Sequence, residues 1–165
     1  MGDNKKQVMI FAVDDSEHSF YALEWTLDHL IIPTNSLFNI IVVHAKTSPS
    51  GVIGLAGPGA SDVLQSVEAD LQRAATKVIE KAKDLCKKKG VNDMDMAFDV
   101  VDGDARNVAC DAVDKHHASL LVLGSHGYGI LKRAVLGSVS DFCAHHANCS
   151  VMIVKKPKSS KQQQA

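Results

Sequence analysis

The chain has 165 residues, 45% of them hydrophobic and 22% charged, with a formal net charge of −1. That is the make-up of a globular protein able to bury a sizeable core in one domain, with no broad attraction to nucleic acid or an anionic membrane. No stretch approaches the roughly 20 apolar residues of a membrane span. The opening, MGDNKKQ, is polar and the first apolar run, Val8 to Val13, is short, so no secretory signal is expected.

In chain order, Val8 to Val13 is a continuous apolar run, as expected of a strand covered on both faces. It ends at Asp14-Asp15-Ser16, where Ser16 or Asp15 can cap a helix over about Glu17 to Leu30. Phe20, Leu23, Leu27 and Leu30 recur there at helical spacing and are expected to face inward. Asn39 to His44 is a second, β-branched strand. Lys46 to Ser61 follows as a long Gly/Pro-rich loop, expected to act as a flap near a site.

Asp62 to Lys89 reads as a long helix with Val67, Leu71, Ala74, Val78, Ala82 and Leu85 on its inner side, stopped by Gly90. Such a helix would be roughly 40 Å long against the ~20 Å of a typical strand, so its first turns should overhang the sheet. Met94 to Val101 alternates like a half-exposed edge strand. Asp104 starts a third helix with Val108, Ala109, Ala112 and Val113 inward; Ser119 to Leu123 is a fourth strand. A last helix over about Val139 to Ala147 precedes a fifth strand, Ser150 to Val154. We expect one domain over residues 1–158 and a disordered polar tail over 159–165. The β-α alternation calls for a parallel sheet with helices on both faces.

Between the fourth strand and the last helix lies GSHGYGILKRAVLGS, Gly124 to Ser138, in which Gly124, Gly127, Gly137 and Ser138 spell G-x2-G-x9-G-S. A strand, a glycine loop and a helix N-terminus in succession present backbone N–H groups to an anion. The plainer alternative is that the glycines only make turns. No G-x4-G-K-[ST], G-x-G-x-x-G or G-x-S-x-G string occurs. Cys86, Cys110, Cys143 and Cys149 form no C-x-x-C pair, so buried, reduced thiols are expected. The histidines lack metal spacing, adjacent pairs such as His116-His117 and His145-His146 pointing apart on a helix.

The glycine loop, the Val13-Asp14-Asp15-Ser16 segment after the first strand and the ending Val151-Met152-Ile153-Val154 resemble a universal stress protein A domain of the ATP-binding type. Lys132 to Ser140 is similar to the plant branch, and the resemblance covers about residues 6 to 157. It implies a doubly wound, Rossmann-like fold of five parallel strands in order 3-2-1-4-5, with a switch point between strands one and four. Ligands in such sheets bind at the carboxyl ends of the strands beside the switch. Ala12 to Asp14 and Gly124 to Gly127 leave the sheet there.

On this reading Ala12, Val13, Val43 and Leu123 form an apolar slot for adenine, and Val43 main-chain groups read the base edge. Asp14 accepts hydrogen bonds from ribose, or else belongs to the first helix cap. Gly124 and Gly127 let the backbone pass close to ribose and phosphate. Gly137, Ser138, Val139 and Ser140 offer N–H groups and hydroxyls to the polyphosphate. His126 stands where some relatives have Arg, and an imidazole neutralises less phosphate charge. Lys132 and Arg133 either reach phosphates or face solvent.

The resemblance implies an ATP-binding (or AMP- or ADP-binding) regulatory stress-response protein of the cytoplasm, with Mg²⁺ beside the nucleotide. It also implies a homodimer paired through the fifth strand, whose apolar edge would otherwise lie open. Two alternatives stand beside it. One is a slow Mg²⁺-dependent ATP hydrolase, with Asp14 and Asp15 on the metal and only His126 as a weak candidate base. The other is a redox-responsive, chaperone-like assembly using the flap and Cys143 or Cys149.

Overall fold

The computed structural model describes residues 5–33, 36–49, 61–126 and 136–158. Among them the elements are β1 (Gln7–Ala12), α1 (Glu17–Leu30), β2 (Phe38–Lys46), α2 (Ser61–Lys88), a 3-10 turn (Asp93–Asp95), β3 (Met96–Asp102), α3 (Ala105–His116), β4 (Leu120–Gly124), α4 (Ser138–His146) and β5 (Ser150–Val154). The strands form one sheet in the order β3-β2-β1-β4-β5, every pair parallel. This is the doubly wound, Rossmann-like arrangement expected, with β3 and β5 at the edges. The register sets Ala12 beside Val43 and Phe11 beside Val122, so β1 ends level with Val43 while β2 runs three residues further.

Side chains of a strand alternate between faces, and two cores result. Met9, Phe11, Ile40, Val42 and Val122 pack under α1 and α2, while Ile10, Ile41, Val43, Leu121 and Leu123 pack under α3 and α4. The central strands read as unbroken apolar runs because neither face meets water. Ser16 caps α1 by accepting the Ser19 N–H at 3.1 Å, and Asp104 caps α3 by accepting the Arg106 N–H at 3.0 Å. Gly90, at φ +77°, ends α2 in a conformation that L side chains rarely adopt.

Three expectations need correction. Leu30 is 42% exposed, because the chain leaves α1 there. The inner face of α2 is Ala75, Val78, Ile79, Ala82 and Cys86; Ala74 is exposed and Val67, Leu71 and Leu85 are half-buried. None of residues 61–74 is buried, so the helix does run past the sheet that would cover it. Met94 belongs to the 3-10 turn before β3 and is 91% exposed. Boundaries also move slightly, β2 running on to Lys46 and β4 to Gly124.

Candidate functional site

At the carboxyl ends of β1, β2 and β4 a cleft opens between the sheet, the first turns of α3 and α4, and the loop after β1. Its empty space, open mouth included, is about 620 Å³. The sequence-selected residues Ala12, Val13, Asp14, Val43, Leu123, Gly124, His126, Gly137, Ser138, Val139 and Ser140 all line it. Gly127, Lys132, Arg133 and most of the expected flap (50–60) lie outside the described residues, as does the tail over 159–165.

One wall is apolar. Ala12, Val43 and Leu123 come from strand ends, and Ala45, Ala105, Val108 and Ala109 complete it from β2 and α3. The polar side chains of the lining are Asp14, Ser19, His126, Ser138 and Ser140. Among the described lining residues, Asp14 is the one carboxylate and His126 the one group able to carry positive charge.

The loop after β1 is held by its own side chains. Asp14 Oδ1 accepts both the N–H and the O–H of Ser16, and the Asp14 N–H donates to Ser19 Oγ at 3.0 Å. Asp14 therefore acts in the helix-entry turn as well as at the cleft wall. The Val43 carbonyl, expected to read a base edge, accepts the Val13 N–H at 2.9 Å and continues the sheet.

The two ends of the glycine segment are tied together. Gly137 N–H donates to the Ser125 carbonyl at 2.7 Å, and the buried Ser140 hydroxyl lies 3.2 Å from that carbonyl and 3.0 Å from that of Gly137. Ser140 thus ties the two ends of the loop together with its hydroxyl. Gly137 is the N-cap of α4 and brings no side chain to cap it; the first helical bond runs from Asp141 N–H to the Gly137 carbonyl. Ser138, Val139 and Ser140 open the helix, where the first N–H groups have no intrahelical acceptor. An uncapped helix start of this kind carries the positive end of the helix dipole.

Gly124 is required to be glycine by its packing as well. A Cβ there would lie 2.8 Å from the His18 carbonyl carbon and oxygen and 2.9 Å from Ser19 N. The constraint is the close seating of β4 on α1, which fixes the cleft's floor.

Beside the floor, the His126 ring lies 5.3 Å from that of His18, centroid to centroid and tilted by 46°. His126 Nδ1 is 3.0 Å from Ser125 Oγ. Behind α3 and α4, Cys110 and Cys143 bring their sulfurs to 4.0 Å, although the sequence sets them far apart. All four cysteines are free thiols. Burial pushes the Cys143 thiol up to about 12 and raises Cys110 and Cys149 as well, leaving little reactive thiolate near neutral pH.

Ser19, Ala45, Ala105, Val108 and Ala109 line the cleft without having been selected from sequence. Only Ser19 bore a signal, a serine one turn into a helix whose hydroxyl can bond backward to the loop.

A parallel sheet switching direction at a cleft beside a helix start is the place where doubly wound α/β sheets bind ligands. The chain belongs to the universal stress protein family, whose model matches residues 6–155. It is 32% identical to universal stress protein PHOS32 of Arabidopsis thaliana, over 88% of this chain and 63% of that one. The chain thus spans about three fifths of the length of the first curated relatives it matches. A universal stress protein of Arabidopsis thaliana solved with AMP bound aligns at TM-score 0.64 and 25% identity, over 93% of this chain and 94% of that one. Another family structure, solved in complex with cAMP, has the same fold at TM-score 0.63 and 22% identity, over 92% and 98% of the two chains. Among the described residues no helix is long and apolar enough to cross a membrane.

Proposed function

We propose that the cleft binds an adenine nucleotide, ATP or its mono- or diphosphate, and that the chain is a regulatory stress-response protein of the cytoplasm. One observation carries this reading: the apolar ends of β1, β2 and β4 and the uncapped start of α4 face one cleft. An adenine suits the Ala12, Val43, Leu123 and Ala109 side. A ribose suits Asp14, and phosphates suit the N–H groups of Ser138 to Ser140. The AMP held by the Arabidopsis relative supports the ligand class.

Binding rather than turnover is the assignment. Asp14, the only carboxylate in the described wall, already accepts two hydrogen bonds from Ser16. No group of three or more His, Cys, Asp or Glu able to hold a metal occurs among the described residues. The described residues therefore do not form a cage for Mg²⁺, and Mg²⁺ accompanying ATP would rest chiefly on the phosphates. We also assign a homodimer through β5, because that edge strand leaves Val151, Met152 and Ile153 only half-buried in the single chain.

Titration calorimetry with AMP, ADP and ATP tests the ligand, with Ala12→Leu as the variant that fills the slot. We expect binding by the native chain and at least tenfold weaker binding by the variant. No heat at millimolar nucleotide would overturn the reading.

A further inference from the structure

The second core holds Cys143 and has Cys110 and Cys149 packed against it, and the nucleotide reading uses none of these thiols. We propose that Cys110 and Cys143 are an oxidation site, which hydrogen peroxide converts to a disulfide stapling α3 to α4. The inference stands whatever the cleft binds.

Cys110 on α3 and Cys143 on α4 are 33 residues apart in sequence, yet their sulfurs lie 4.0 Å apart. A disulfide holds its sulfurs about 2 Å apart, so each has to move by about 1 Å. The side chains of this cluster include the short Ala109, Ala112 and Ala147, which leave little bulk to push aside. Cys86 lies in the other core, across the sheet, and has no route to the pair. Cys149 shares the cluster, but its thiol donates to the Ser150 carbonyl at 3.3 Å.

The two thiols differ in access. Cys143 is fully buried and Cys110 half-buried, so Cys110 is the one a small oxidant reaches. Burial raises the Cys110 thiol, the hydrogen bond with Cys143 pulls it down, and Asp111 and Asp114 add to the rise. The thiolate is the nucleophile and is scarce here, so the pair answers sustained rather than passing oxidant.

The Cys110 thiolate attacks one peroxide oxygen. An S–O bond forms, the O–O bond breaks, and the departing oxygen leaves as water with the thiol's proton. The Cys143 sulfur then attacks the Cys110 sulfenic acid: an S–S bond forms, the S–O bond breaks, and a second water leaves with the Cys143 proton. Two thiols lose two electrons and the peroxide gains them. Cys110 follows Ala109, and Cys143 stands one turn beyond Ser140, so the bond joins the two helical walls of the cleft. It also closes a long loop, which removes freedom from the unfolded chain.

The test is exposure of the reduced, full chain to hydrogen peroxide, followed by thiol blocking, digestion and mass spectrometry. We expect an intact-mass loss of about 2 Da, reversed by dithiothreitol, and a Cys110–Cys143 cross-linked peptide at least tenfold above any pair with Cys86 or Cys149. The oxidised chain should melt roughly 5–10 °C above the reduced one. Cys110→Ser, a change at a half-buried site, should abolish both the bond and the melting shift, whereas Cys149→Ser should leave both in place. Cys143→Ala should let a sulfenic-acid trap label Cys110 at least fivefold more than in the native chain. Cys110 and Cys143 staying free after the exposed methionines have oxidised would overturn the inference. So would cross-linking chiefly through Cys149, or a melting shift that persists in Cys110→Ser.

Discussion

The two faces of the sheet are filled differently. Under α1 and α2, Met9 and Phe11 meet Phe20, Leu23, Leu27, Val78 and Ile79, with Trp25 and Tyr21 packed against them. Under α3 and α4 the sheet's branched aliphatics meet Val108, Ala109, Ala112, Val113 and Cys143. Larger helix side chains fill the first face. Short ones bring α3 near the sheet without filling the space beyond the strand ends, and the cleft opens there. One face stores stability, and the other gives up packing to leave room for a ligand.

Phe11→Ala should break that contrast most severely. The ring is 1% exposed at the centre of the closed face, and its removal should cost about 3–5 kcal/mol in denaturant unfolding. A loss near 1 kcal/mol would mean that the face collapses freely and is no better filled than its opposite. Gly124→Ala comes next. Its Cβ would press on the α1 backbone, which cannot rotate away as a side chain does. We expect about 1–3 kcal/mol of destabilisation and weaker AMP binding, because the cleft floor shifts with it.

The same contrast explains what was legible in the sequence. Strand runs such as Met9-Ile10-Phe11 and Ile40 to Val43 announced themselves because burial on both faces removes polar residues. The polar lining residues drew attention only as a set, since Asp14, Gly137 and Ser138 each had a plainer use in a turn or a helix cap. The apolar wall from α3 was not: Ala105, Val108 and Ala109 look like any helix face. The inner stripe of α2 was placed about one residue off at Ala74, because its exposed first half carries apolar residues that do not reach the sheet. The approach of Cys110 to Cys143 depends on how α3 and α4 pack, which no spacing encodes. The order of the strands came only with the family resemblance.

The cysteines offer a titration of both faces. Cys86 lies in the first core and Cys143 in the second, and burial is the main cause pushing each thiol up to about 12. An unfolded thiol ionises near 8.5. Between those values the unfolded chain binds fewer protons than the native one, so stability is full below about pH 8.5 and falls as pH rises toward 12. The loss is at most roughly 1.4 kcal/mol per pH unit for each thiol. In melting curves from neutral pH to about pH 10, Cys86→Ala and Cys143→Ala should each flatten the alkaline decline. Cys143→Ala should cost less at neutral pH, because the open face has room to adjust. Equal neutral-pH costs would argue that the two cores are equally tight.

The smallest expected effect separates a latch from a ligand contact. The Ser140 hydroxyl lies against the carbonyls of Ser125 and Gly137, which also share the Gly137 N–H to Ser125 bond. Ser140→Ala keeps the N–H assigned to the phosphate and removes only the hydroxyl. Loss of one buried hydrogen bond should cost about 1 kcal/mol in urea unfolding and weaken AMP less than tenfold, through a looser loop closure. If AMP binding fell a hundredfold with stability intact, the hydroxyl would have to turn toward the phosphate on binding. The open face would then be remade by its ligand rather than prepared for it.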